Sequence, residues 1–251
     1  MPSAAALALP LAKVGEVGQG FFKERTSETL PCQAKSDHLF CFDWAKENID
    51  SFFTPAQQHV ELVGISVLAG FAIAFALALL AHRRRWLQPP LLAVTGVIYT
   101  VPSIALFFLL LPVTGLGRDT VIVALSAYTL QIIYRNATTG LANVPSAAKD
   151  AARGMGMSER QVLWRVEVPL AVPEIVAGLR IATVSTVALA TLAVFINGGG
   201  LGVKIYGSGN ITFPTSILIA GGLAMTIAFA FDLVLLAIQR RATPWRKAAR
   251  A

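Results

Sequence analysis

The sequence predicts an all-α membrane protein with about five spanning helices and a helical loop on the cytoplasmic side. Hydrophobic residues make up 55% of the 251 residues and charged residues only 14%, whereas soluble domains carry about a quarter charged residues. Several windows also reach the roughly 20 mainly apolar residues that a bilayer-crossing helix needs. The formal net charge of +7 comes from basic residues at the ends of these windows, which indicates membrane topology and not nucleic-acid binding.

Residues 1–58 form a polar N-terminal extension, which we expect outside the cytoplasm or at the membrane interface. The extension holds both cysteines of the chain, Cys32 and Cys41. A disulfide between them is expected if the region lies in an oxidising compartment, and two reduced thiols are the alternative. Their spacing is not that of a zinc motif, and no metal site is predicted.

Five apolar segments follow within residues 59–239, the predicted transmembrane domain. They run from about His59 to Ala81, Pro89 to Pro112, Thr120 to Leu141, Glu174 to Ile196 and Pro214 to Ile238. Pro102 lies in the middle of the second segment, where it removes a backbone hydrogen bond and bends the helix. A neighbouring helix or cavity water must satisfy the freed carbonyl.

Lysine and arginine residues between the segments predict the orientation. One side holds Arg83–Arg85, four basic residues between the third and fourth segments, and the basic tail of residues 240–251. The other side holds only Arg118 and Lys204. The positive-inside bias places the first group in the cytoplasm. Five spans then leave the N-terminal extension outside a plasma or inner membrane that the chain crosses several times.

The cytoplasmic loop from Asn143 to Pro173 is the most patterned polar stretch of the chain. Its first part, AAKDAAR, consists of good helix formers. A second short helix is predicted to begin at Ser158, with Gln161 three residues later as in a capping box, and to end at Pro169 and Pro173. Glycines between the two helices permit a bend. Two interpretations of this pair of helices are open: a docking surface for another protein, and an inert helical hairpin at the membrane surface.

This loop contains Asp150, Ala151 and Ala152, then Gly156 after three intervening residues, and Pro169 at the end of the pattern. The pattern resembles the cytoplasmic signature of permeases of ATP-binding-cassette (ABC) importers: EAA, three residues, G, nine residues, I-x-L-P. The departures are Asp for Glu, and Val for Ile and Leu, which conserve charge or shape.

Two further stretches resemble permeases for osmoprotectants such as glycine betaine, choline or carnitine. They are YTVPSIAL in the second segment and NGGGLGVKIYGSG after the fourth. The resemblance covers roughly residues 60–240 and leaves out the N-terminal extension. It implies a transmembrane permease subunit that works as a homodimer or heterodimer. It also implies a separate ATPase and an extracytoplasmic solute-binding protein as partners.

The resemblance implies that part of the loop contacts the ATPase subunit. The residues assigned to this coupling loop are Asp150, Ala151, Ala152, Gly154, Gly156 and Pro169. The permease itself is then not an enzyme and binds no cofactor, ATP being bound by the partner. The sequence agrees, because no Gly-Lys pair and hence no phosphate-binding loop of the Walker A type occurs in it.

Polar and aromatic groups inside the predicted spans are candidates for the translocation path or its gate. They are Tyr99, Thr100, Pro102, Ser103, Thr183 and Thr186. Hydroxyls in membrane helices also commonly bond to their own backbone, which is the alternative for each of them. Arg180 is expected to extend to the membrane surface, with a contact to Asp232 as the alternative.

Two other functions remain open from the sequence. One is an ABC permease for another small solute, such as an amino acid. The other is an ion-coupled secondary transporter, for which we would expect intramembrane ionisable groups or inverted repeats, and we find neither in the sequence.

Overall fold

The computed structural model describes residues 40–207 and 214–244, which contain helices and short connections but no strand. The α-helices are α1 (Phe42–Asn48), α2 (Phe53–Arg83), α3 (Gln88–Thr100), α4 (Ser103–Thr114), α5 (Arg118–Ala142), α6 (Ser146–Gly154), α7 (Glu159–Val162), α8 (Val168–Ala190), α9 (Gly202–Tyr206) and α10 (Pro214–Ala242). The predicted all-α class is confirmed.

Three continuous helical stretches of the described residues are long and apolar enough to cross a membrane: Phe42–Arg83, Glu159–Ile196 and Pro214–Ala242. The bent pair α3 and α4 makes a fourth if it is one span. The third predicted segment, α5, is 25 residues long but is not among the helices that are apolar enough to cross a membrane by the same criterion. Since α5 is enclosed by other helices, its surface need not be apolar. The count of five spans stays a prediction.

The central helix is α5, which packs on α2 along one side and on α8 along another. Near the predicted outer end, Leu62, Val63 and Leu125 belong to one buried apolar cluster. Near the predicted cytoplasmic end, Ala74 and Ile133 belong to a second. The last helix, α10, packs mainly on α8.

Close approach of α2 and α5 depends on Gly70. A Cβ at this position would lie 1.7 Å from Thr129 Oγ1 and 2.9 Å from the Ser126 carbonyl oxygen. Such separations are far inside van der Waals contact, so only glycine fits without moving α5. Gly64, on the same helix, faces open space within this chain.

The second predicted segment is not one kinked helix, as the sequence suggested, but two helices. Between α3 and α4 the chain turns by 101° at Val101 and Pro102. Val101 is extended, as a residue before proline prefers. The Tyr128 hydroxyl of α5 donates a hydrogen bond to the Val101 carbonyl. The carbonyl that Pro102 leaves without its helical partner is that of Ile98, which accepts from the Val101 N–H at 3.3 Å. It is therefore satisfied within its own segment and not, as expected from the sequence, by a neighbouring helix.

The predicted end of the second loop helix at the prolines is wrong. The helix continues from Glu159 to Ile196, with a π-helical turn at Leu163–Glu167. Pro169 follows that turn as the second residue of α8, and Pro173 lies inside α8. The wide π-helical turn gives the first proline ring room, so the loop and the fourth span form one helix.

Glycines at the predicted outer end hold the connection after α8 against the start of α2. Gly199 and Gly200 have positive φ angles of 80° and 82°. The Gly200 N–H donates to Gln58 Oε1 at 3.1 Å. The buried His59 accepts from the Leu201 N–H through Nδ1 and so donates through Nε2 to the Val187 carbonyl, 3.0 Å away.

Most of the predicted N-terminal extension lies outside the described residues, and so do the tail residues from 245 onward. Helix α2 begins at Phe53, a few residues before the predicted boundary at residue 58. Cys41 is buried, and its N–H donates to Thr215 Oγ1 at 2.9 Å. Cys32 lies outside the described residues, so the Cys32–Cys41 disulfide stays a prediction.

Candidate functional site

The loop predicted to be cytoplasmic presents helix α6 with one face packed against the bundle and one face exposed. Ala152 is buried, and Lys149 is half-buried on the same side. Asp150, Ala151 and Gly154 are exposed. The structure thus divides the predicted coupling residues: Ala152 anchors α6, and the others leave a surface of small side chains and one carboxylate.

Arg153 joins the two short helices of the loop. Its Nε donates to Glu159 Oε1 at 2.8 Å, and its Nη1 donates to Asp150 Oδ1 at 3.3 Å. The Arg153 guanidinium holds the pKa of the Glu159 carboxyl below its usual value. All three side chains are exposed, so we expect the pair to set the shape of the loop more than the stability of the protein.

The turn between α6 and α7 is made by Gly156 and Ser158. Gly156 has a φ of +80°, a conformation that side-chain-bearing residues adopt at a cost. The Ser158 N–H donates to Gln161 Oε1 at 2.8 Å, and the predicted capping box is formed. Gly154 has no such requirement, because it is the last residue of α6 and keeps helical geometry.

The loop is attached to the bundle through its second helix. Val162 and Leu163 are buried, and Leu163 belongs to the cytoplasmic apolar cluster. Glu167 is buried at the end of the π-helical turn, where its carboxyl group contacts His82 Nε2 at the end of α2. The pattern of the sequence did not point to this pair, because its members are 85 residues apart (167 − 82).

The predicted path residues fall into two groups. Tyr99, Thr100 and Ser103 flank the break at Pro102, and the rings of Tyr99 and Tyr128 meet edge to face at 6.0 Å. Tyr99 and Thr100 are exposed within this chain.

Thr183 and Thr186 form the other group and are buried in α8. Their hydroxyls donate to the Leu179 and Ala182 carbonyls, both at 2.7 Å. This geometry is that of hydroxyls bonded to their own backbone. The Thr100 hydroxyl likewise donates to its own backbone, at the Val97 carbonyl 2.7 Å away. The two groups differ in burial: Tyr99, Thr100 and Pro102 are exposed in this chain and Ser103 is half-buried, whereas the two threonines of α8 are buried.

Arg180 and Asp232 form a two-point ion pair between α8 and α10. Arg180 Nε and Nη2 donate to Asp232 Oδ1 and Oδ2, each at 2.7 Å. The expectation that Arg180 extends to the membrane surface is therefore wrong, and the contact named as the alternative is formed. A carboxylate on the facing helix is a stronger partner than headgroups several residues away.

Comparison with known proteins identifies the family. Residues 66–244 match the family described as the binding-protein-dependent transport system inner membrane component. The chain belongs to this family. It is therefore a multi-pass permease subunit of an ABC importer and not an enzyme, and the ion-coupled alternative is set aside. A permease of this family works with an ATPase and a solute-binding protein.

Three curated relatives align with 67–76% of this chain. The choline transport system permease protein OpuBD of Bacillus subtilis is 39% identical over 67% of this chain and 75% of its own. The glycine betaine/carnitine/choline transport system permease protein OpuCD of the same organism is 37% identical over 76% and 83%. The osmoprotectant import permease protein OsmW of Salmonella typhimurium is 35% identical over 74% and 89%.

Solved structures share the fold of this permease. An inward-facing form of the MetNI methionine ABC transporter matches with a TM-score of 0.70 at 21% identity, over 76% of this chain and 96% of that one. An amino acid ABC transporter crystallised with histidines matches with a TM-score of 0.67 at 17% identity, over 80% and 98%. At these identities the likeness concerns the fold alone.

Proposed function

We propose that this permease forms the membrane path for a quaternary-ammonium osmoprotectant such as glycine betaine, choline or carnitine. Support comes from two relatives at 37–39% identity whose names specify one or more of these solutes and from a third, at 35% identity, that is named for osmoprotectant import. The amino-acid transporters resemble the chain at only 17–21% identity and favour no solute.

We further propose that the exposed face of α6 docks into the ATPase subunit. The observation that carries this proposal is the division of α6 into an anchored face and a free face of small residues around Asp150. Small side chains allow close approach of a partner, and an exposed carboxylate can fix its register. ATP is then bound and hydrolysed by the partner alone.

The continuous helix from Glu159 to Ile196 supports a mechanism of coupling. At 1.5 Å per residue its 38 residues extend over about 57 Å, from the loop to the glycine-rich connection near Gly199. A displacement of the loop by the ATPase would tilt this helix as one rigid element. The motion would reach the outer connection, which Gln58 and His59 hold against α2.

The permease is proposed to act as a dimer with a second copy or a related chain. Helix α10 exposes Leu218, Met225, Phe229 and Leu233 along one side. A second subunit or membrane lipid is expected to cover this apolar side. If the path lies between two subunits, the exposed residues around Pro102 would line it.

Asp150→Lys and Gly156→Trp test the docking proposal. Both variants are expected to lose capture of the ATPase and solute uptake. Asp119→Lys makes the same charge change at the predicted outer end of α5 and is expected to retain both. Gly156→Asn keeps a residue that tolerates positive φ and is expected to retain most binding. Normal capture and uptake in both test variants would exclude the docking role.

Uptake of radiolabelled solutes tests the solute proposal. Cells that produce the permease with its ATPase and binding protein are expected to accumulate glycine betaine, choline or carnitine. Competition by excess unlabelled methionine is expected to have no effect. Accumulation of an amino acid and of none of the three osmoprotectants would contradict the proposal and leave the docking role of α6 unaffected.

A further inference from the structure

A basic cavity lies where α2, α3, α5 and α6 meet at the predicted cytoplasmic end of the bundle. It has a volume of about 260 Å³. Its polar lining includes His82, Arg85, Gln88 and Lys149, and its apolar lining includes Leu141 and Ala142. The cavity therefore adjoins the inner face of the coupling helix, opposite the exposed Asp150.

The charges of this cavity are not balanced within the described part of the chain. The Glu167 carboxyl group contacts His82. Arg85 and Lys149 have no carboxylate within ion-pair distance among residues 40–207 and 214–244. Two cations beside one cavity repel each other, and a bound anion removes that repulsion. The cavity is thus suited to an oxyanion.

The position of the cavity indicates the source of the anion. Arg83, Arg84 and Arg85 end the first span, and Trp86 follows with 70% of its surface exposed. Arginine and tryptophan at the end of a span mark the depth of the lipid headgroups. A phosphate of the cytoplasmic leaflet at this depth would be within reach of the Arg85 side chain.

The size and lining of the cavity suit a headgroup. Pockets for drug-sized ligands have volumes of roughly 300–1,000 Å³, so 260 Å³ suits a phosphate with its glycerol better than a nucleotide. The guanidinium of Arg85 can bind phosphate oxygens in pairs, and Lys149 supplies a point charge. Leu141 and Ala142 offer an apolar wall to the glycerol and the start of the acyl chains.

We propose that this cavity binds the phosphate of an anionic phospholipid of the cytoplasmic leaflet. Basic pockets between membrane helices on this side are suited to such headgroups. A lipid held by Arg85 of the α2–α3 corner and Lys149 of α6 ties the coupling helix to the bundle. The inference rests on the position of the cavity at the cytoplasmic interface and does not depend on the solute or on the docking of the ATPase.

Native mass spectrometry of the full-length permease tests the proposal. The protein is released from nanodiscs that contain equal amounts of phosphatidylglycerol and phosphatidylcholine. The wild type is expected to retain phosphatidylglycerol in preference to phosphatidylcholine. Arg85→Gln or Lys149→Gln should each weaken retention roughly five-fold, and the double variant roughly 25-fold.

A matched control removes two cations elsewhere on the same side of the membrane. Arg240→Gln with Arg241→Gln changes the net charge equally, in the exposed last turn of α10, and should leave retention unchanged. The conservative pair Arg85→Lys and Lys149→Arg keeps both charges and should retain the lipid. A monodisperse size-exclusion peak is required of every variant, and a single variant replaces the double if the double does not fold.

Three results would overturn the proposal. Equal loss in the Arg240–Arg241 control would mean diffuse attraction by surface charge. Equal retention of phosphatidylcholine would mean that the headgroup charge is not recognised. The third is binding of inorganic phosphate to the permease in pure phosphatidylcholine nanodiscs. If added phosphatidylglycerol does not displace that phosphate, the cavity is a site for free phosphate.

Discussion

The ion pair between α8 and α10 predicts an asymmetry between single and double variants. Replacing Arg180 or Asp232 by leucine leaves an unpaired charge inside the membrane, which costs about 2.5–3.5 kcal/mol on insertion scales. The side chains are 28% and 27% exposed in this chain, so we reduce the expected loss to about 2 kcal/mol for each single variant. The double variant leaves no charge and is expected to lose less than about 1 kcal/mol.

Thermal unfolding of the purified wild type, the two single variants and the double variant measures these losses of stability. For a protein of this size about 2 kcal/mol corresponds to a fall in Tm of roughly 4–8 °C, and the double variant should lie within a few degrees of the wild type. Exchange of the two residues, Arg180→Asp with Asp232→Arg, serves as a control that keeps one charge of each sign. Additive losses in the double variant would refute the reasoning, because independent sites add and a pair does not.

Three further predictions concern packing, the loop and the cysteines. Gly70→Leu should abolish the yield of monodisperse permease, because its side chain would overlap α5, whereas Gly64→Leu should give normal yield. Arg153→Ala should lower uptake several-fold, since it releases both carboxylates that shape the loop. Arg160→Ala removes a charge with no ion-pair partner in the described part of the chain and should have little effect. The disulfide predicted between Cys32 and Cys41 should prevent a maleimide from reacting with either cysteine until a reductant is added. Reaction before reduction would contradict the disulfide.

The main features of the loop were predictable because local chemistry decides them. Ser158 and Gln161 form the capping box that their spacing predicts, and Gly156 takes the positive φ that the turn requires. Helix formers such as those of AAKDAAR need no distant contact to indicate a helix. These features could be read from a few neighbouring residues.

The remaining features depended on contacts between distant residues. Pro169 and Pro173 end isolated helices, but a π-helical turn and burial of Glu167 let the helix continue. Thr183 was a candidate for the path, and only the packing of α8 shows that it is buried. The contact between Arg180 and Asp232 could be predicted only as an alternative. No local pattern in the sequence shows whether Arg180 extends to the membrane surface or binds a carboxylate on a facing helix.

The proposed docking of α6 is tested most directly by finding which of its two faces contacts the ATPase. A photoreactive phenylalanine analogue is placed in turn at the exposed positions Ala147, Asp150 and Ala151 and at the inner positions Ala148 and Ala152. Irradiation of the assembled transporter is expected to give adducts with the ATPase at the exposed positions and none at the inner ones. Adducts that are equal on both faces, or confined to the inner face, would contradict the docking of this helix.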